Sequence, residues 1–322
     1  MLYLNNAAVS SAVTCDQMMD AVERAMVIYE EKKYTMPERM NVSCGDGNIL
    51  LLMPCISGDY MVSKILTLYP GNRKIAKPVI QATVTLMDSR TGTVLAIMDG
   101  GTITALRTGA VGGTSIRHLA RTDASSVGLA GCGVQGYHQL KYACAARGIR
   151  KITLFDRNSA NVSLLTEKLK ADKLNVEISR VVSAEELITV SDIIITATTS
   201  REPVLPDKAD LYKGKHFIAV GSFEPSVREY PDAIFKQINR VWVDIDYARE
   251  ESGEILIPLK KGIISGKEIF SLGQLIRSGG EADSGETGTT FFKTVGMALF
   301  DLVAAQLVYE CSRDRGAGTL LE

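Results

Sequence analysis

Residues 126–157 constrain the chain more than any other stretch, because they read as strand, glycine turn, helix and strand in direct succession. Residues 126–131 form a short apolar run of strand type. The run leads into Gly131-Cys132-Gly133-Val134-Gln135-Gly136, a G-x-G-x-x-G pattern. A helix is predicted over 137–147, and 151–156 is a second apolar strand that ends on Asp156. Gly131 permits a tight turn, Gly133 lets the backbone approach a pyrophosphate, and Gly136 lets the helix pack against the strand. Amides at the helix N-terminus have no partners within it, and the helix dipole there favours phosphate; Val134 and Gln135, in the glycine turn that leads into it, are candidate nucleotide contacts. Asp156 lies at the roughly 20-residue spacing at which a carboxylate accepts hydrogen bonds from the ribose hydroxyls. A bare glycine turn would be ordinary loop structure. Flanked by both strands, the helix and the acid, it points to a bound dinucleotide.

The alternation continues beyond this unit. Helices are predicted over 158–174 and 184–190, with strands over 176–181, 192–197, 217–221 and 240–246. Short apolar strands alternating with helices indicate an α/β fold with a Rossmann-type, doubly wound parallel sheet. The C-terminal ends of such strands form the crevice where ligands bind. Ala197, Thr198 and Thr199 follow one strand, and Val220, Gly221 and Ser222 follow the next, so these are candidate nucleotide contacts.

The first hundred residues have a different grammar. Met18, Met19, Ala21, Val22, Ala25, Met26 and Tyr29 recur at helical spacing, which predicts an amphipathic helix over 15–31. Strand-like pieces follow at 48–53 and 60–68, with a turn at 70–73, and 79–88 and 94–99 flank a hairpin turn at 89–92. This predicts one helix with an antiparallel sheet. Residues 102–120 have helical tendency and carry Arg107 and Arg117. A long helix is predicted over 291–310, after a Gly-Thr-rich turn at 286–290, with apolar residues nearly all round.

Composition excludes several classes. The net charge is −1 with no basic block, which argues against nucleic acid. No apolar stretch reaches membrane-spanning length and no leader-like segment opens the chain, so a cytoplasmic protein is expected. Six scattered cysteines and three histidines lack metal-like spacing, and no metal is expected.

Several motifs together resemble the ornithine cyclodeaminase/mu-crystallin family. They are Pro37-Glu38-Arg39, Val62-Ser63-Lys64, residues 94–99, Thr104-Ala105-Leu106-Arg107-Thr108, the glycine turn, Ala219-Val220-Gly221-Ser222, and 292–298 with Lys293 and Gly296. The resemblance spans nearly the whole chain. It implies a homodimer whose first-domain sheets pair, with a substrate-binding and dimerisation α+β domain (1–117 with 300–322) and an inserted nucleotide-binding domain (118–299). It places Thr108, Lys293 and Gly296 with the nucleotide. Cyclodeaminases of the family resemble Gly-Gly-Asp-x-Pro-Gly after the fifth strand, whereas this chain has Phe223 at the place of the acid, followed by Glu224. Lys293 resembles the ketimine reductase branch, where cyclodeaminases carry an aspartate.

The expected reaction is NAD(P)H-dependent reduction of a cyclic or linear 2-imino acid, such as 1-pyrroline-2-carboxylate, to the L-amino acid. Its alternatives are ornithine cyclodeamination, alanine dehydrogenation and non-catalytic binding of a small ligand. A 2-imino acid needs a carboxylate clamp, a proton source at nitrogen and a hydride at carbon. Arg39 and Arg107 match the clamp, since arginine binds carboxylates through two parallel, charge-assisted hydrogen bonds. A surface ion pair is the other reading of Arg39. Lys64 is the candidate catalytic acid beside the substrate, although a strand lysine can equally face solvent. Phe223 is an apolar wall for the substrate or a plain core residue. Asp156 favours NAD(H), while Arg157 beside it leaves NADP(H) possible.

Overall fold

Thr14 and Gln17 form a reciprocal capping box, and the helix that they start buries Met18, Met19, Val22 and Met26, as their spacing demands. This helix belongs to a computed structural model that describes residues 1–222, 224–282, 285 and 287–322. In chain order, β1 (Leu2–Leu4), α1 (Asn6–Ala12) and α2 (Cys15–Glu30) come first. Then come β2 (Met40–Ser43), β3 (Ile49–Ser57), β4 (Tyr60–Leu68), β5 (Ile80–Asp88) and β6 (Val94–Asp99). A long helix, α3 (Gly100–Leu119), leads to β7 (Ser126–Ala130), α4 (Val134–Ala146), β8 (Lys151–Phe155), α5 (Ser159–Ala171) and β9 (Glu177–Arg180). There follow α6 (Ala184–Thr189), β10 (Ile193–Thr196), β11 (His216–Ala219), β12 (Val241–Val243), α7 (Ala248–Glu251) and α8 (Gly253–Lys260). The chain ends with β13 (Ile269–Ser271), α9 (Leu272–Ser278), β14 (Thr290–Lys293), α10 (Ala298–Asp314) and β15 (Thr319–Leu320).

Two compact units result, Met1–Arg107 with Met297–Glu322, and Thr108–Gly296. The first holds a sheet of order β15-β1-β6-β5-β4-β3-β2. It is antiparallel from β6 to β2, but β1 runs parallel to β6, which departs from the purely antiparallel expectation. Three residues are too short to show a period, so β1 was invisible to pattern. Helix α10 packs on β3, β4, β5 and α2, and its apolar girth is buried there.

The second unit holds eight parallel strands in the order β13-β12-β14-β11-β10-β7-β8-β9. Strand order therefore reverses between β7 and β10, which creates a crevice at their C-terminal ends. Strands β10, β11 and β14 are buried on both faces, as parallel strands under helices must be.

The final helix also starts later than expected. Residues 291–293 do not begin the final helix; together with Thr290 they form β14, inserted between β11 and β12. Thr289-Thr290-Phe291-Phe292 is β-branched and aromatic, which suits a buried strand. Gly296, at φ +74°, then turns the chain before α10 begins. The unbroken apolar run across 291–310 concealed that break. Glu286, in the expected turn, lies outside the described residues, as does Phe223.

Candidate active site

Alternation along β4 sends Val62, Lys64 and Leu66 to the buried face and Ile65 to the other. Lys64 is thus an inward lysine with 1% of its surface exposed. Its Nζ donates to Oδ2 of Asp301 at 2.5 Å, and Arg107 Nε donates to Oδ1 of the same carboxylate at 3.1 Å. Asp301 is fully buried in the first turn of α10, where the helix dipole favours a negative charge. Without that anion, two cations would be buried together at a cost of several kcal/mol each.

The electrostatics follow from this arrangement. Burial lowers the Lys64 pKa to about 8, and Arg107 and Arg39 press it down while Asp301 raises it. Burial works to raise the pKa of Asp301, but Lys64 and Arg107 outweigh it and hold the carboxyl below its usual range. Cys55 on β3 stays a neutral thiol, because burial pushes its pKa up to about 12. Arg39, half-buried just before β2, adds a further positive charge to the field at Lys64. Among the described residues, Arg107 donates only through Nε, so the edge made by its two terminal nitrogens has no protein acceptor. Lys64 likewise makes one of the three hydrogen bonds open to an ammonium. Spare positive donors converging in a buried place are what a small carboxylate requires.

The second unit carries the glycine turn. Gly131 sits at φ +101°, and a Cβ there would lie 2.6 Å from the Ala197 carbonyl oxygen. A Cβ on Gly136 would come within 2.3 Å of the Gly131 oxygen. Gly133 is different: it is exposed, and a Cβ on it would meet nothing within 4 Å. Helix α4 begins there without a side-chain cap, Val134 is exposed beside it, and the buried Gln135 Oε1 has no partner among the described residues. Asp156 accepts from the Cys132 amide at 2.9 Å and from the Asn158 amide at 2.8 Å, which fixes its carboxylate against the turn. Arg157 is exposed next to it. An open, uncapped helix start with a fixed carboxylate across the turn fits a dinucleotide.

Buried charges brace the strand ends around this turn. Glu229 accepts from Thr198 N at 2.7 Å, Gly221 N at 2.8 Å and Thr196 Oγ1 at 2.8 Å, tying the end of β10 to the residues after β11. Glu254 accepts from the amides of Glu229 and Tyr230, both at 2.9 Å. Asp244 accepts from Thr294 Oγ1 and from Gly296 N. Lys293 is fully buried and donates to the carbonyls of Ser222 at 2.5 Å and Ala219 at 3.3 Å. Its ammonium therefore lies beneath the loop after β11, where Ser222 also bonds Ser252 at 2.8 Å. Thr108 is buried on α3, with its carbonyl accepting from Gln139. Glu224 pairs with Arg201 at the surface at 3.5 Å. Sequence reasoning missed Asp301, Glu229, Glu254 and Asp244. For Asp301 and Asp244 the one available signal was an acid flanked by apolar residues, as in Phe300-Asp301-Leu302 and Val243-Asp244-Ile245; Glu229 and Glu254 are not so flanked and gave none.

The profile of the ornithine cyclodeaminase/mu-crystallin family matches residues 2–316. Delta(1)-pyrroline-2-carboxylate reductase of Bacillus cereus (strain ATCC 10987 / NRS 248) is 31% identical over 327 aligned positions covering 100% of both chains. The structure of Thermococcus litoralis Delta(1)-pyrroline-2-carboxylate reductase in complex with NADH and L-proline superimposes with a TM-score of 0.93, at 34% identity over 100% of both chains. An archaeal alanine dehydrogenase dimer with bound NAD superimposes with a TM-score of 0.90, at 29% identity over 100% of this chain and 99% of that one.

Proposed function

The chain belongs to the ornithine cyclodeaminase/mu-crystallin family, and we propose that within it this protein reduces a cyclic or linear 2-imino acid, 1-pyrroline-2-carboxylate foremost, to the L-amino acid with NADH. One observation carries this reading. Lys64 and Arg107 are buried around one shared carboxylate and keep donors to spare, with Arg39 adding a third positive charge. A substrate carboxylate on the terminal nitrogens of Arg107 balances that excess and fixes the substrate's orientation. Lys64 then faces the imine nitrogen and gives it a proton: one N–H bond breaks at Nζ, one forms at the imine, and the electron pair stays on Nζ. The protonated imine is the better electrophile at carbon, and solvent returns the proton to Lys64 afterwards. NADH, when bound, supplies hydride to that carbon, so imino acid, NADH and one proton give amino acid and NAD⁺. The nucleotide is held by the turn from Gly131 to Gly136, by Asp156 at the ribose, and by the chain after β10 and β11. Lys293 and Ser222 serve it through the loop that they brace.

The relatives named above support the reaction and NADH as the nucleotide; the preference for it rests on Asp156, and Arg157 leaves NADP(H) as a weaker substitute. Phe223 supports it by its identity, since the acid of a cyclodeaminase is absent from that position. The reading further includes a substrate-binding and dimerisation role for the first unit, a nucleotide-binding role for the second, a homodimer and a cytoplasmic location. Among the described residues, no helix is long and apolar enough to cross a membrane. The test is a substrate panel. Supplied with 1-pyrroline-2-carboxylate and NADH, the protein is expected to consume the reduced nucleotide and form L-proline. Formation of proline and ammonia from ornithine with catalytic NAD, at a comparable rate, would overturn the assignment in favour of cyclodeamination.

A further inference from the structure

We propose that Asp301 is the positioning residue of this reaction, holding the Lys64 ammonium as the proton donor at the reacting nitrogen and keeping the outer edge of Arg107 for the substrate carboxylate. The inference rests on imine reduction as proposed above. Each oxygen of Asp301 has one cation, Oδ2 taking Lys64 and Oδ1 taking Arg107. The contact to Arg107 is through Nε, which leaves the parallel pair of terminal N–H groups on the far edge of the guanidinium. A carboxylate bonded to that far edge would forfeit it to the protein. Asp301 therefore anchors the clamp without competing for its working side.

Its effect on Lys64 is electrostatic as well as geometric. The groups that act on the ammonium are Asp301 from α10, Arg107 from α3 and Arg39 from the segment before β2. The Cys55 thiol on β3 lies near Asp301 and stays neutral. Of these, only Asp301 favours the charged lysine. Removing its charge leaves desolvation and two cations, all of which drive the proton off. The donor form of Lys64 would then persist only at lower pH. A buried aspartate that merely held α10 against the sheet would have no such effect.

The test uses the full-length protein and Asp301→Asn, which keeps the shape and removes the charge. With the unmodified protein, kcat/KM for 1-pyrroline-2-carboxylate is expected to fall on the alkaline side as Lys64 loses its proton near pH 8. In Asp301→Asn that limb is expected to move down by about one pH unit or more, with a loss of about fivefold or more at pH 8, while NADH affinity is unchanged. Asp301→Glu keeps the charge but displaces it, and is expected to lower kcat with its limb near that of the unmodified protein. A second measurement needs no substrate. Lysine labelled with ¹³C at Cε, assigned through Lys64→Met, reports the Lys64 titration by NMR, and it too should move down in Asp301→Asn. A limb and a resonance that stay in place would overturn the role given to Asp301. An unmodified protein that reduces no 2-imino acid would overturn the reaction instead, and the NMR titration would still decide whether Asp301 holds the ammonium.

Discussion

Arg107 spends one edge of its planar group on Asp301 and keeps the other for a ligand, and that is why lysine cannot stand in for it. Nε reaches Asp301 at 3.1 Å, and the opposite edge is left for a second carboxylate. A lysine keeps the charge but offers a single point, so Arg107→Lys must give up either the anchor or the paired contact. We expect kcat/KM for the imino acid to fall by about 1.5–3 kcal/mol, roughly ten- to a hundredfold, the cost of a charge-assisted hydrogen bond. NADH affinity, measured by fluorescence titration, should be unaffected; an equal loss there would put Arg107 at the nucleotide instead. Lys64 and Arg107 were legible as candidates because they stand in short motifs that resemble the family's. Asp301 was not, for it stands 237 residues from Lys64 and inside a helix whose pattern reads as apolar all round. Periodicity reports which face is buried. It does not report which buried residue meets another across the fold.

At the scale of elements, the glycine turn and its two strands were readable because each part has a local cause: a run of apolar residues, a turn that only glycine allows, an acid at a strand end. The bracing of the strand ends has no local cause. Glu229 holds together Thr196, Thr198 and Gly221, which come from two strands, and only the sheet order makes them neighbours. The same holds for β14, whose place between β11 and β12 depends on pairing partners some fifty residues or more away. Glu229→Gln keeps the size but turns one accepting oxygen into a donor facing amides or a hydroxyl. It should cost about 1–3 kcal/mol of stability, the penalty of buried polar groups left without acceptors, read as a lower denaturant midpoint. Because the braced residues line the crevice, KM for NADH should rise more than kcat falls. A variant with unchanged midpoint and unchanged KM for NADH would show that the loops after β10 and β11 hold their positions without the carboxylate.

At the scale of the whole molecule, one face of the first unit's sheet carries a row of exposed apolar side chains. Direct cross-strand partners share a face, so Met40, Leu52 and Ile65 stand in one row, and Val42 and Leu50 in the next. Met40, Val42 and Ile65 are 58%, 39% and 48% exposed, and Ile56 on the same face is 43% exposed. The edge strand β2 is exposed along its whole length. An apolar face joined to an open edge is a liability in a monomer and a natural contact for a second copy. Lys64 projects from β4 to the opposite face, so a partner on the outer face would stiffen the strand without touching the lysine. Ile65→Lys places a charge in the middle of that face, next to the buried lysine in sequence yet on the other side of the sheet. We expect the unmodified protein to sediment as a dimer at micromolar concentration and the variant as a folded monomer with an unchanged far-ultraviolet spectrum. NADH binding should survive in the monomer, since the glycine turn belongs to the other unit. Turnover of the imino acid should fall, because β4 and the rows around Lys64 lose the support of the partner sheet. A monomeric unmodified protein, or a dimer that Ile65→Lys leaves intact, would mean that this face meets something other than a second copy of the chain.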